Sequence, residues 1–145
     1  MSRLIGLDHG SRRIGVAVGD TETGMAFARP AILRHHLDAD LAVVEALFVD
    51  EAAEVVVVGL PLNMDGSEGD QARSARGFGE RLVARGMTIA YEDERLSSWE
   101  AGERLSEAGR RPRRVSGELD SAAARLILQQ YLDARAGHRA PEETE

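Results

Sequence analysis

Residues 6–20 read GLDHGSRRIGVAVGD, two apolar runs on either side of a polar turn. Leu4–Asp8 and Ile14–Gly19 have strand length and composition, and His9-Gly10-Ser11-Arg12 joins them at hairpin spacing, so the stretch predicts an antiparallel pair. Asp8 closes an otherwise apolar run. A carboxylate there either shapes the turn through its side chain or stands as a reactive group at the end of a central strand.

Working outward, Asp20–Gly24 reads as a second turn, and a third strand falls between Phe27 and Leu33, where Pro30 favours an edge position. Asp38 is placed to cap a helix running to about Glu54, whose Leu41, Val44, Leu47 and Phe48 recur at helical spacing. Val55–Val58 is a run of valines, the pattern of a strand covered on both faces in a parallel sheet. A long loop, Gly59–Gly69, follows it. The next helix covers Asp70–Arg85 and stops at Gly86, and Met87–Glu92 supplies a fifth strand. Ser97 and Glu100 have capping-box spacing and open a helix ending near Gly109. The basic, broken stretch Arg110–Gly117 reads as a connector, and a last helix covers Glu118–Ala134. The fold class is therefore α/β. One domain over residues 1–136 carries antiparallel strands 1–3, parallel additions 4 and 5 and flanking helices, and an acidic tail over 137–145 is expected to be disordered.

Composition narrows the function classes. At 145 residues the chain is the size of one ordinary domain, so one site on one scaffold is expected. Without cysteine, disulfides, thiolate metal sites and cysteine nucleophiles are excluded. No apolar run is long enough to cross a bilayer and no cleavable signal opens the chain, so a cytoplasmic protein without membrane contact is expected. A formal charge of -7 argues against coating nucleic acid with the whole surface, though it leaves room for a local basic groove.

Acids at strand ends are the candidates for chemistry. Asp8 falls where open α/β sheets place their ligands, beyond the carboxyl end of a central strand. Asp120 shares a helical stripe with Ala123, Ala124, Ile127, Leu128 and Tyr131, which should face the sheet, and a carboxylate on that face needs a partner, a cation or a metal. Asp93 and Glu94 end the fifth strand on opposite faces, so at most one of them meets Asp8. Three convergent carboxylates would repel one another when empty, and Mg²⁺ or Mn²⁺ would relieve that repulsion.

Four blocks resemble the YqgF/RuvX family, a branch of the ribonuclease H-like superfamily related to Holliday-junction resolvases. They are LIGLDHGSRRIGVAVGD, VVVVGLPLNMDGSEGDQA, YEDERLSSWEA and LDSAAARLILQQYLD, which occur in family order and together extend over nearly the whole chain. The resemblance implies a ribonuclease H-like five-stranded sheet and a nuclease that trims the 5′ end of precursor 16S ribosomal RNA. It carries the acidic, metal-holding site onto Asp8, Glu94 and Asp120. Related resolvases have an acid after the fourth strand where this loop offers Asn63 and Asp65, and the chain departs from the family at Gly19, where serine is usual.

In that reading the acids hold one or two Mg²⁺ or Mn²⁺ ions and no histidine base is needed; His9 reads as a turn residue and His35 and His36 as surface residues. Arg12, Arg13, Arg95, Arg113 and Arg114, with Arg110, Arg111 and Asn63, form the expected nucleic-acid rim. Every basic side chain in the Lys+Arg count of 18 is an arginine, and in the basic connector, where the family commonly has lysines, arginine keeps the charge and adds bidentate phosphate geometry. With few aromatics, recognition is expected by shape or through a ribosomal partner. The rival readings are a junction resolvase, which should be a two-fold dimer, and a non-catalytic ribosome-assembly module. An actin-like ATPase lobe would need a second lobe, for which the chain has no room.

Overall fold

The computed structural model describes residues 2–94 and 118–143, by backbone alone at 118–120 and 137–143. Their order is β1 (Arg3–His9), β2 (Arg13–Asp20), β3 (Ala26–Leu33), α1 (Leu37–Asp50), β4 (Val55–Leu60), α2 (Asp70–Ala84), β5 (Ile89–Asp93) and α3 (Glu118–Glu143). The sheet has the order β3-β2-β1-β4-β5. β1 pairs antiparallel with β2 and β2 with β3, whereas β4 adds parallel to β1 and β5 parallel to β4. The expected five-stranded mixed sheet is therefore present, with the Pro30 strand at its edge.

Alternation along each strand divides the core into two layers. Ile5, Leu7, Val16, Val56 and Val58 pack with Leu41, Val44, Phe78 and Leu82 of α1 and α2. Leu4, Ala17 and Val57 pack on the other face with Ala124, Ile127, Leu128 and Leu132 of α3. β4 feeds both layers, which is why its valines form an unbroken apolar run: Val56, Val57 and Val58 are each fully buried. The α3 stripe falls where the 3.6 period puts it, with Ala123, Ala124, Ile127 and Leu128 buried.

Several boundaries depart from expectation, each for a local reason. α1 starts at Leu37 with His36 as N-cap, its Nδ1 accepting from Ala39 N at 3.3 Å, because Asp40 turns back to accept from His35 N at 3.0 Å and fixes the approach. Asp38 lies in the first turn instead. α1 stops at Asp50 rather than near Glu54: Ala52 takes φ +52° and Ala53 N donates to Phe48 O at 2.9 Å, a left-handed stop without the usual glycine. β5 begins at Ile89, not Met87, since Met87 N still donates to Leu82 O at 3.2 Å while its side chain is buried in the α1–α2 layer. α3 runs past its expected end at Ala134 to Glu143, through Gly137, where a disordered tail was expected to begin; a glycine lowers helix propensity by only about 1 kcal/mol. The helix expected over Ser97–Gly109 and the connector Arg110–Gly117 lie outside the described residues.

Candidate active site

Leu4, Gly6 and Asp8 alternate onto the α3 face of β1. A Cβ on Gly6 would lie 2.8 Å from Leu128 Cβ and 3.0 Å from Ala124 O, so Gly6 is where the helix rests directly on the strand. Asp8 is one pleat further on, half-buried and paired with Gly15 of β2. The parallel pairing Leu7↔Val58 brings the end of β1 beside Gly59 of β4.

From the other side, Glu94 reaches the same glycine. Its backbone N donates to Leu60 O at 3.1 Å, continuing the β4–β5 ladder by one residue. The residue is 7% exposed, and its Oε2 would clash with a Cβ built on Gly59, with Ile127 Cδ1 2.5 Å from that Cβ. Gly59 is therefore the floor of a cradle that a side chain would fill. The register Leu60↔Asp93 sends Asp93 to the opposite face, with the α1–α2 layer to which Leu60 belongs. Glu94, rather than Asp93, therefore shares a face with Asp8.

The direction of α3 places the third acid. Leu132 Cδ1 lies 3.1 Å from a Cβ built on Gly19 at the far end of β2, while Ala124 and Leu128 lie over Gly6. The helix therefore runs antiparallel to β1, and residue 120, one turn before Ala124, is at the Asp8 end of the sheet. The Asp120 side chain lies outside the described residues, and among the described residues no three acids or histidines gather into one cluster.

Two side chains that sequence reasoning passed over hold this end together. Gln130 of α3 donates to Glu92 Oε2 at 2.5 Å and sits 3.4 Å from Asp93 O, strapping the helix to the end of β5 next to Glu94. Arg34 donates to Gly10 O at 2.8 Å and faces Asp40 Oδ2 at 3.6 Å, pinning the hairpin that follows Asp8. Asp40, 2% exposed, gave no signal beyond being an acid in a helical first turn. Asp40→Ala would leave the His35 N–H without its acceptor and Arg34 without its carboxylate, and a loss of about 1–3 kcal/mol is expected in urea unfolding.

The remaining candidates separate. Arg12 is exposed and Arg13 half-buried in the hairpin. Arg95, Arg110, Arg111, Arg113 and Arg114 lie outside the described residues. Asn63 and Asp65 shape their own loop: Asn63 Nδ2 donates to Ser67 Oγ at 3.0 Å, and Asp65 Oδ1 accepts from Ser67 N at 2.9 Å and Ser67 Oγ at 2.6 Å.

His9 points to the opposite face from Asp8, its ring 4.7 Å from that of Phe78. Burial first, and then the Arg34 charge, lower its pKa from 6.5 to about 4, against an opposing pull from Asp40. Beside it a cleft of about 240 Å³ opens between the hairpin and the start of α2, lined by Ser11, Arg34, Gln71 and Ser74 among others. Between pH 6.5 and 4 the unfolded chain binds the proton that folded His9 refuses. The stability due to neutral His9 is thus complete above about pH 6.5 and lost as pH falls toward 4. Urea midpoints at pH 7.5 and 5 should fall less in His9→Gln than in the parent.

A family model described as RuvX, Holliday junction resolvase, matches residues 2–134. The chain belongs to the RuvX family. Over 136 residues it is 47% identical to a protein of Anaeromyxobacter sp. (strain Fw109-5) named "Putative pre-16S rRNA nuclease", a match covering 92% of this chain and 98% of that one. A protein of the same name from Synechococcus elongatus is 44% identical over 134 residues, covering 89% and 87% of the two chains. T. thermophilus RuvC, solved in complex with Holliday junction substrate, matches with a TM-score of 0.59 at 16% identity over 93% of this chain and 96% of that chain. At that identity the likeness is one of fold, and it makes this RuvX-family sheet ribonuclease H-like. No helix among the described residues is long and apolar enough to cross a membrane.

Proposed function

We propose that this RuvX-family chain is a metal-dependent nuclease, a single catalytic domain over residues 1–136, that acts in the cytoplasm on the 5′ end of precursor 16S ribosomal RNA. The observation that carries the reading is the pair of acids, Asp8 and Glu94, brought from separate strands to either side of Gly59 on the face covered by α3. Two relatives named for pre-16S rRNA nuclease activity support the choice of substrate.

The donor set suits a hard divalent cation. Asp8 and Glu94 offer only carboxylate oxygens, the Gly59 cradle leaves room for them, and Asp120 on the first turn of α3 would complete the set. Held there, Mg²⁺ or Mn²⁺ would supply charge neutralisation at the phosphoryl group and would make a water more acidic. The protein's own contribution is positional. Strand pairing fixes Asp8, the ladder to Leu60 fixes Glu94, and Arg12 and Arg13 at the hairpin hold flanking phosphates, with Arg95, Arg113 and Arg114 assigned to the same rim. Hydrolysis forms a bond from water oxygen to phosphorus and breaks the bond to the 3′ oxygen, leaving a 5′-phosphate and a 3′-hydroxyl. His9 takes no part as a base, since it faces away from the acids.

The test is cleavage with Mg²⁺ or Mn²⁺ of two substrates, a precursor 16S 5′-leader RNA and a four-way DNA junction, by the parent and by Asp8→Asn. RNA cleavage that depends on Asp8 supports the processing nuclease. Cleavage of the junction alone reassigns the substrate to the one named in the family description, and cleavage of neither removes the isolated-enzyme reading in favour of an assembly module bound to ribosomal particles.

A further inference from the structure

β5 carries two glutamates on the face covered by α3. Across the parallel β4–β5 ladder Gly59 is paired with Glu92 and Leu60 with Asp93, and alternation returns to the α3 face at Glu94. Residues paired across a ladder point to the same side, so Glu92 stands directly opposite the open floor of the cradle, whereas Glu94 has to lean back by one pair to reach it. Yet the oxygen found over Gly59 is Glu94 Oε2. Position in the ladder does not explain why the nearer glutamate leaves that place to the further one.

The explanation lies on α3. Gln130 Nε2 donates to Glu92 Oε2 at 2.5 Å and lies 3.4 Å from Asp93 O, so the Glu92 carboxylate is drawn outward to an exposed residue of the helix. Hydrogen bonds to an ionised acceptor are among the stronger polar contacts. α3 is itself anchored at the far edge of the sheet: Ser121 Oγ donates to Arg29 O at 2.7 Å, Gln129 Nε2 to Gly24 O at 2.7 Å, and Ala26 N to Gln129 Oε1 at 2.9 Å. The amide that holds Glu92 is therefore placed by the packing of its helix and not by Glu92. Released from it, Glu92 would have the cradle within reach, and two carboxylates over one glycine repel each other.

We propose that Gln130 is a positioning residue that holds Glu92 aside and so keeps the Gly59 cradle for Glu94. It acts through Glu92 and touches no reacting atom. The assignment rests on the nuclease reading, in which Glu94 is a site acid, and adds to it the device that decides which of two glutamates on one face of β5 serves.

The experiment uses the full chain with Gln130→Glu, Gln130→Ala, Glu92→Ala and the double variant Gln130→Ala with Glu92→Ala. Cleavage of the leader RNA and the four-way junction is measured per folded molecule with Mg²⁺ or Mn²⁺, and crystal structures of the metal-free parent and Gln130→Glu locate the Glu92 carboxylate. Gln130→Ala and Glu92→Ala break the same hydrogen bond, but only the first leaves a competing carboxylate. With KM unchanged, kcat should fall by about tenfold in Gln130→Ala and further in Gln130→Glu, where like charges push Glu92 off the helix. Glu92→Ala and the double variant should cut like the parent, and in the Gln130→Glu crystal Glu92 should lie over Gly59. Equal losses in Gln130→Ala and Glu92→Ala, or a double variant as slow as Gln130→Ala, would reduce the contact to a tie between α3 and β5 and overturn the proposal. Parental rates in both Gln130 variants, or a Glu92 that stays beside the helix in Gln130→Glu, overturn it as well. Failure of the parent to cut either substrate strikes the nuclease reading, while the crystal structures still decide whether Gln130 holds Glu92 aside.

Discussion

Asp8→Asn is expected to reduce Mg²⁺-dependent cleavage by about a thousandfold or more while leaving the thermal midpoint within a few degrees of the parent. Asparagine keeps the shape and the pairing of residue 8 with Gly15, so β1 and β2 are not disturbed. The change removes one negative charge from the end of β1, and with it, on the proposed reading, a ligand for a divalent cation. A cation at such a site supplies several kcal/mol of transition-state stabilisation, and each 1.36 kcal/mol is about tenfold in rate. Single-turnover cleavage beside a circular-dichroism melt separates the two effects. Asp8→Asn with near-parental rates would remove Asp8 from the chemistry.

Gly59→Ala should damage both stability and activity, because one methyl group would be placed against the side-chain ends of Glu94 and Ile127. The new Cβ would overlap Glu94 Oε2 and come within 2.5 Å of Ile127 Cδ1, and Ile127 is fully buried. Overpacking of this kind costs about 1–3 kcal/mol. The carboxylate has to leave its place over β4 for the methyl to fit, so cleavage should fall by about tenfold or more even at temperatures where the variant is folded. Gly6→Ala is the control. Its Cβ would meet Leu128 Cβ at 2.8 Å and Ala124 O at 3.0 Å, again on the α3 face but away from Glu94. It should destabilise at least as much, whereas its folded fraction should retain more activity than that of Gly59→Ala. Urea midpoints with specific activity per folded molecule distinguish the two; equal residual activity would mean that the Gly59 cradle does not position Glu94.

The hairpin, the valine strand and the apolar stripe of α3 were legible because each is written in a local period: two for strands, 3.6 for the helix, and an unbroken run where a strand is covered on both faces. That Glu94 and not Asp93 shares a face with Asp8 was only half legible. Alternation says that the two point apart, but which of them meets Asp8 depends on the register Leu60↔Asp93, a pairing between strands distant in sequence. The N-cap at His36 and the left-handed stop at Ala52 escaped because both use residues with weak preference for those positions, imposed here by Asp40 and by the return of the chain to β4. Asn63 and Asp65 carry the right atoms for ligands, and only their bonds to Ser67 disclose that they build a loop.

From its sequence alone, the order of elements, the mixed character of the sheet and the strand end that carries Asp8 were determined, since these follow from turn chemistry and from how often apolar residues recur. Tertiary structure decided that Asp8 and Glu94 flank one glycine and that His9 turns its back on them. Those facts belong to the register between β1, β4 and β5 and to the direction in which α3 crosses them. Such pairings join residues far apart in the chain, and no local period encodes them.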